Sequence, residues 1–202
     1  MKKFIMTSPY QKEGGLNCTI YHAMDNTRLQ YNKAVSFPIL PAIHGYAEKG
    51  ESIEVLVILS DYINAKKNLE IFQKELQELC IEMEISYQLT LLHVPYDDTL
   101  DTQLQIFSHL IEHLGDNDSI YTCITYGTKA TPLVEMLALN YCYRLHHNVD
   151  IGCIVYGAVD FNTKLAKIYD VTSLFYMDEM IRTLADNKVK DPAKTIRMLL
   201  SE

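Results

Sequence analysis

Ser119-Ile120-Tyr121-Thr122-Cys123-Ile124-Thr125-Tyr126-Gly127-Thr128-Lys129-Ala130-Thr131-Pro132 decides how this chain is read. Residues 120–125 are apolar or β-branched, the pattern of a short buried strand. Gly127 interrupts the run, and a long helical pattern follows. Thr131 is a suitable N-cap, and Pro132 falls in the first turn, where a missing amide hydrogen costs nothing. A strand, a glycine turn, hydroxyls, a lysine and a helix N-terminus together attract phosphate. The first amides of a helix have no partner, and the helix dipole favours an anion. The same segment also reads as an ordinary capped turn between a strand and a helix.

The flanking sequence repeats this alternation. Lys3 to Met6 reads as a first strand ending at Thr7-Ser8-Pro9-Tyr10, followed by a polar loop to Gly15. Residues 18–22 and 28–31 flank the turn pair Asp25-Asn26 and predict a projecting β-hairpin. Ile39 to Lys49 predicts a helix closed by Gly50. Ile53 to Leu59 is apolar at nearly every position, as in a parallel strand covered on both faces. Helices are expected over 68–83, 100–114, 133–145, 176–185 and 191–202, and further strands over 87–94, 151–156 and 164–171. The last strand would pair through a turn at Asp160-Phe161-Asn162. The fold class is therefore α/β: a doubly wound, mainly parallel, Rossmann-like sheet with a projecting hairpin. Residues 1–185 form the domain and 186–202 a helical extension. Such sheets bind ligands beyond the carboxyl ends of their strands. The turns at 7–10 and 125–131 would line one pocket if their strands are neighbours.

Composition narrows the function classes. A net charge of −8 argues against binding long nucleic acid, which rests on many Lys and Arg contacts, but permits a small phosphorylated ligand in one local pocket. The 14 tyrosines offer flat, polar-tipped surfaces for stacking or interfaces. No apolar run reaches membrane-spanning length, so no membrane partner is expected and the chain reads as cytoplasmic. The five cysteines form no C-x-x-C pair and read as reduced, mostly core residues. Neither a metal nor a cofactor is implied. His146-His147 reads as a helix-end pair, Asp97-Asp98 as a solvated loop, and Asp61 as a cap.

The turn Thr125-Tyr126-Gly127-Thr128-Lys129-Ala130-Thr131-Pro132 resembles the signature turn of the CRISPR-associated Rossmann fold (CARF) domains. Thr125, Gly127, Lys129 and Pro132 match that pattern, whereas Cys123 stands for its usual Asp and Tyr126 for its usual His. Thr7-Ser8, the segment before Phe37-Pro38-Ile39, Tyr156-Gly157-Ala158 and residues 168–172 are similar to further features, so the likeness covers most of residues 1–185. The resemblance implies a homodimer that binds cyclic oligoadenylate, the second messenger of type III CRISPR antiviral defence, across its two-fold axis. Cyclic tetra-adenylate is favoured over hexa-adenylate. Thr7, Ser8, Pro9, Tyr10, Thr125, Tyr126, Gly127, Thr128, Lys129 and Thr131 are the ligand-binding candidates, with Tyr10 and Tyr126 stacking adenines.

Two functional classes follow from the resemblance. One is a sensor controlling a partner protein or an effector domain on a longer chain. The other is a metal-independent ring nuclease, in which a ribose 2′-OH attacks its neighbouring phosphate while Lys129 and Ser8 serve as catalytic groups. None of Arg28, Arg144, Arg182 and Arg197 is followed by His at the offset of the nuclease domain often fused to this family. A metabolic dinucleotide enzyme is a third reading, without a G-x-G-x-x-G turn to support it.

Overall fold

A computed structural model describes residues 1–12, 14–160, 162–163 and 165–200. Among the described residues, seven strands form one sheet: β1 (Lys2–Thr7), β2 (Tyr21–Ala23), β3 (Ser52–Ser60), β4 (Ser86–Val94), β5 (Ser119–Cys123), β6 (Asp150–Val159) and β7 (Ala166–Asp170). The strand order is β2-β7-β6-β5-β1-β3-β4, and only the β6–β7 pair is antiparallel. This is the expected Rossmann-like α/β architecture. The chain builds outward from β1 through β3 to β4, then crosses back to place β5 on the other side of β1. The direction of winding reverses between β1 and β5, which is where such sheets open a crevice.

The described residues form six helices: α1 (Ile39–Tyr46), α2 (Ile63–Met83), α3 (Leu100–His113), α4 (Thr131–Leu145) and α5 (Thr172–Asp186), with α6 (Pro192–Leu199) lying against α5. Alternate strand residues feed two cores, as the two-residue period of a strand requires. Phe4, Met6, Val55 and Val57 pack with Leu40 of α1 and Phe72 of α2. Ile5, Leu56 and Ile154 pack on the opposite face with Leu110 of α3, Ala138 of α4 and Phe175 of α5. Both faces are therefore covered, which explains the uninterrupted apolar run of β3. Cys80, Cys123, Cys142 and Cys153 are buried free thiols, and Cys18 is exposed. Among the described residues, no helix is long and apolar enough to cross a membrane.

The hairpin around Asp25-Asn26 is not formed. Tyr21–Ala23 instead adds a parallel edge strand to β7, while Thr27–Leu29 makes a 3-10 turn that buries Leu29. Asn26 fits the turn assignment for a different reason: its side chain accepts the Arg28 amide and donates to Asp170 at 2.6 Å. Residues 19 and 35 make a single antiparallel bridge. Helix α1 stops at Tyr46, short of Lys49, and α2 begins at Ile63, five residues before the periodic run at 68. Asp61 does not cap α2; its carboxylate pairs with Lys66 at 2.5 Å. β7 and its pairing with β6 are as read, but Phe161 and Lys164 of that expectation lie outside the described residues. Asp191 and Pro192 open α6 as cap and first helical residue, with the Asp191 carboxylate accepting the Lys194 amide at 3.0 Å.

One close contact shapes the β5–β6 pair. The register shifts between Ile120 and Tyr121, and the Tyr121 ring lies over Gly152, where an added Cβ would come within 2.5 Å of it. That ring also stacks on Phe4 at 4.7 Å between centroids.

Candidate functional site

β1 and β5 are hydrogen-bonded neighbours, with Met6 opposite Cys123. The turns that follow them therefore rise side by side on the crest of the sheet. Below the crest, Glu135 of α4 joins all three elements. It is 1% exposed, and its carboxyl accepts the Thr122 hydroxyl at 2.8 Å and the Thr7 hydroxyl at 3.3 Å. Burial raises its pKa to about 7, against the lowering effect of the two hydroxyl donors.

The turn after β5 is held at both ends. Thr125 Oγ1 accepts the Gly157 amide of β6 at 2.8 Å, which fixes where the turn leaves the sheet. Ala130, not Thr131, occupies the cap position of α4. Thr131 is the first helical residue, and its buried hydroxyl reaches back to accept the Thr128 amide at 3.1 Å. Gly127 supplies the positive φ, +105°, that lets the chain reverse there. An added Cβ would also lie 2.9 Å from the Thr131 side chain. Among the described residues, the amides of Gly127, Lys129 and Ala130 make no hydrogen bond. They stand beside the exposed Lys129 at the start of a 15-residue helix. Open amides, a helix dipole and a lysine make a cradle for an anion.

The turn after β1 sits lower. Thr7 and Ser8 are fully buried: Thr7 donates to Glu135, and the Ser8 hydroxyl donates to the Ala65 carbonyl at 2.7 Å. Pro9 is also buried. Its carbonyl and that of Gln11 accept from the Asn68 side chain at 2.8 and 2.9 Å. Tyr10 shares a hydrogen with Ser60 at 2.6 Å and meets Tyr62 and Tyr96 edge-on. The structure thus places Thr7, Ser8 and Pro9 as supports, Thr125 and Thr131 as anchors, and Gly127, Thr128 and Lys129 at the open crest. Tyr126 is held by its hydroxyl, which donates to the Ser36 carbonyl at 2.9 Å, and packs edge-on against Phe37. Burial pushes its phenol pKa strongly upward.

Two supporting residues escape a reading of the sequence. Glu135 and Asn68 are buried polar side chains inside amphipathic helices. Their only sequence signal is a polar residue beside an apolar stripe, which does not name a partner several elements away. Asp97 acts as a local turn former, accepting from the Thr99 amide at 2.9 Å and the Thr102 hydroxyl at 2.6 Å. Asp116 accepts the His147 amide at 2.9 Å and lies 3.1 Å from the His146 ring.

Two hollows border these elements. Thr125 and Tyr126 line a crest cleft of about 290 Å3 with the loop after β1 and the end of β6. A wider groove of about 500 Å3 lies between α3 and α4, bounded by Leu104, Phe107, Leu137 and Tyr141.

No family model matches the chain. A stretch of 87 residues is 31% identical to a CRISPR-associated protein of Methanocaldococcus jannaschii. It covers 42% of this chain and 14% of the archaeal protein, so the chain corresponds to a small part of its relative's length.

Proposed function

We propose that this chain is a CRISPR-associated sensor that binds cyclic oligoadenylate on the crest of its sheet. The observation that carries this reading is the pair of adjacent turns after β1 and β5, with open amides at 127, 129 and 130 and the exposed Lys129 beside them. Such a cradle holds a phosphate without a broadly basic surface, which suits a chain of net charge −8. The similarity to a CRISPR-associated protein supports the biological setting. One cradle per chain holds only part of a ring of nucleotides. A two-fold homodimer supplies two, and the symmetry of the ring matches it. Binding then shifts an equilibrium that controls a partner protein or an attached effector.

Sensing is favoured over ring cleavage by the state of Ser8. Its hydroxyl is buried and committed to the Ala65 carbonyl. Lys129 then remains to stabilise charge, with no positioned general base among the crest residues.

The test is titration calorimetry with cyclic tetra-adenylate and cyclic hexa-adenylate in EDTA, followed by chromatography of the ligand. Saturable binding at one ring per two chains, with the ring recovered intact, is the expected result. Absence of binding to either ring overturns the proposal. Recovery of linear fragments ending in 2′,3′-cyclic phosphate turns the assignment to ring nuclease.

A further inference from the structure

Strand β4 forms one margin of the sheet, and that margin is bare. β3 is its one neighbour among the described residues, along nine consecutive residue pairs from Ser52–Ser86 to Ser60–Val94 with no bulge. A strand paired on one side only presents a row of unpaired amides and carbonyls on the other. Among the described residues, no hydrogen bond reaches those outer backbone groups over 87–93. The opposite margin differs: β2 has three residues and offers little edge.

Soluble proteins blunt their edge strands with charge, proline, a bulge or short length. β4 uses none of these. From Ile85 to Val94 the chain contains no Asp, Glu, Lys, Arg, Pro or Gly, although the whole chain carries a net charge of −8. Two copies can therefore bring these strands together without placing like formal charges opposite each other.

The order of side chains suits a copy of the same strand. A two-fold axis perpendicular to the sheet pairs β4 with β4 antiparallel and keeps each face with its like. Full overlap of Ser86–Val94 puts that axis at Thr90. Thr90 then meets Thr90 of the second copy, Leu89 meets Leu91, and Tyr87 meets His93. Threonine, aliphatic and aromatic pairs of this kind stabilise neighbouring strands. Tyr87, Leu89 and Leu91 are only partly buried against the α1–α2 core in one chain, so a second strand completes their cover.

We infer that β4 is a self-association edge, at which two copies of this chain pair antiparallel about Thr90 to make one continuous sheet. This goes beyond the ligand reading and does not depend on it, because β3 and β1 stand between β4 and the strand that carries the crest turn. One pair of strands is a small contact of the transient kind, so association is expected near about 0.1 mM rather than at micromolar concentration.

The experiment is disulfide trapping of the full chain in a Cys18→Ser background, which removes the exposed native thiol. Directly opposite residues in an antiparallel pair have the Cα separation that a disulfide needs. Thr90→Cys should cross-link to itself under mild oxidant. Tyr87→Cys and His93→Cys should cross-link when mixed and not when either is oxidised alone. Circular dichroism checks each fold, because Thr90→Cys loses a hydrogen bond to Glu54 and Tyr87 is half-buried. In sedimentation over the same concentrations, Gln88→Lys, a charge at an exposed edge position, should weaken self-association at least ten-fold and leave ring affinity unchanged. No cross-link at position 90 or in the 87–93 mixture overturns the inference, whatever the ring titration shows. His93→Cys cross-linking to itself as fast as to Tyr87→Cys also overturns it, since random collision then explains the trapping. Cross-links in the expected register from a chain that binds no ring uphold the edge and reject only the sensor reading.

Discussion

Glu135 on α4 accepts a hydrogen bond from Thr122 on β5 at 2.8 Å, from a position with almost no access to water. Thr7 on β1 donates to the other carboxyl oxygen. The two strands that flank the crest are thereby fastened to the helix whose N-terminus forms the cradle.

This buried carboxyl sets a pH dependence. An unfolded glutamate ionises near 4.5, whereas Glu135 keeps its proton to about 7. The folded state therefore binds the proton more tightly. Its stability is greatest below the unfolded value and falls as pH rises from about 4.5 to about 7, by on the order of 3 kcal/mol. Glu135→Gln removes that decline. Urea unfolding from pH 5 to 8 should show a flatter profile for the variant, with its largest relative gain at pH 8. Parallel profiles for the two proteins would contradict the assignment.

Lys129→Ala should leave thermal stability unchanged, because Lys129 is exposed. It should weaken cyclic oligoadenylate binding by about 1.5–3 kcal/mol, roughly ten- to a hundred-fold, through loss of a charge-assisted phosphate contact. The salt dependence of binding should fall with it. Calorimetry at two ionic strengths measures both; equal affinities for variant and wild type would place the phosphate elsewhere.

Gly127→Ala combines two costs, a positive φ and a Cβ 2.9 Å from Thr131. A destabilisation of about 1–3 kcal/mol is expected, with loss of ligand binding as the turn reopens. Differential scanning calorimetry and a binding titration report the two effects. An unchanged melting temperature would show that the turn does not require this conformation.

The proposed ring ligand requires two crests to meet, so the contact between copies must border the site. The outer face of α4 begins beside the cradle and exposes Leu133 and Leu137, at 67% and 59%. Together with the groove toward α3 it offers an apolar surface for a second copy. Leu137→Glu should convert a dimer to a monomer in analytical ultracentrifugation and lower ring affinity, with secondary structure retained. A wild-type monomer at micromolar concentration, with and without ring, would reject the dimer.

The alternation of apolar runs and amphipathic stretches made the α/β class readable, because a covered parallel strand and a one-faced helix have distinct periods. The glycine turn at 127 was legible for the same reason: local chemistry determines a turn. Tyr21–Ala23 was not, since an edge strand of three residues is defined by its pairing with the distant β7, Tyr21 opposite Ala166, rather than by its own composition. Ser8 illustrates the same limit within the site. Its position after a strand suggested an exposed ligand-binding hydroxyl, but the acceptor that claims it, Ala65, becomes a neighbour only when α2 packs on the sheet.

The Tyr121 ring pressed against Gly152 ties two positions on neighbouring strands into one volume. A side chain at 152 needs a smaller group at 121, and a bulky ring at 121 needs glycine at 152. Across the lineage of this chain the two sites should therefore exchange bulk in concert. Gly152→Ala should impair folding in the native background and be tolerated once Tyr121 is shortened to leucine. Because Tyr121 lies on the strand that carries the crest turn, this reciprocal constraint limits which sequences can keep the cradle in place.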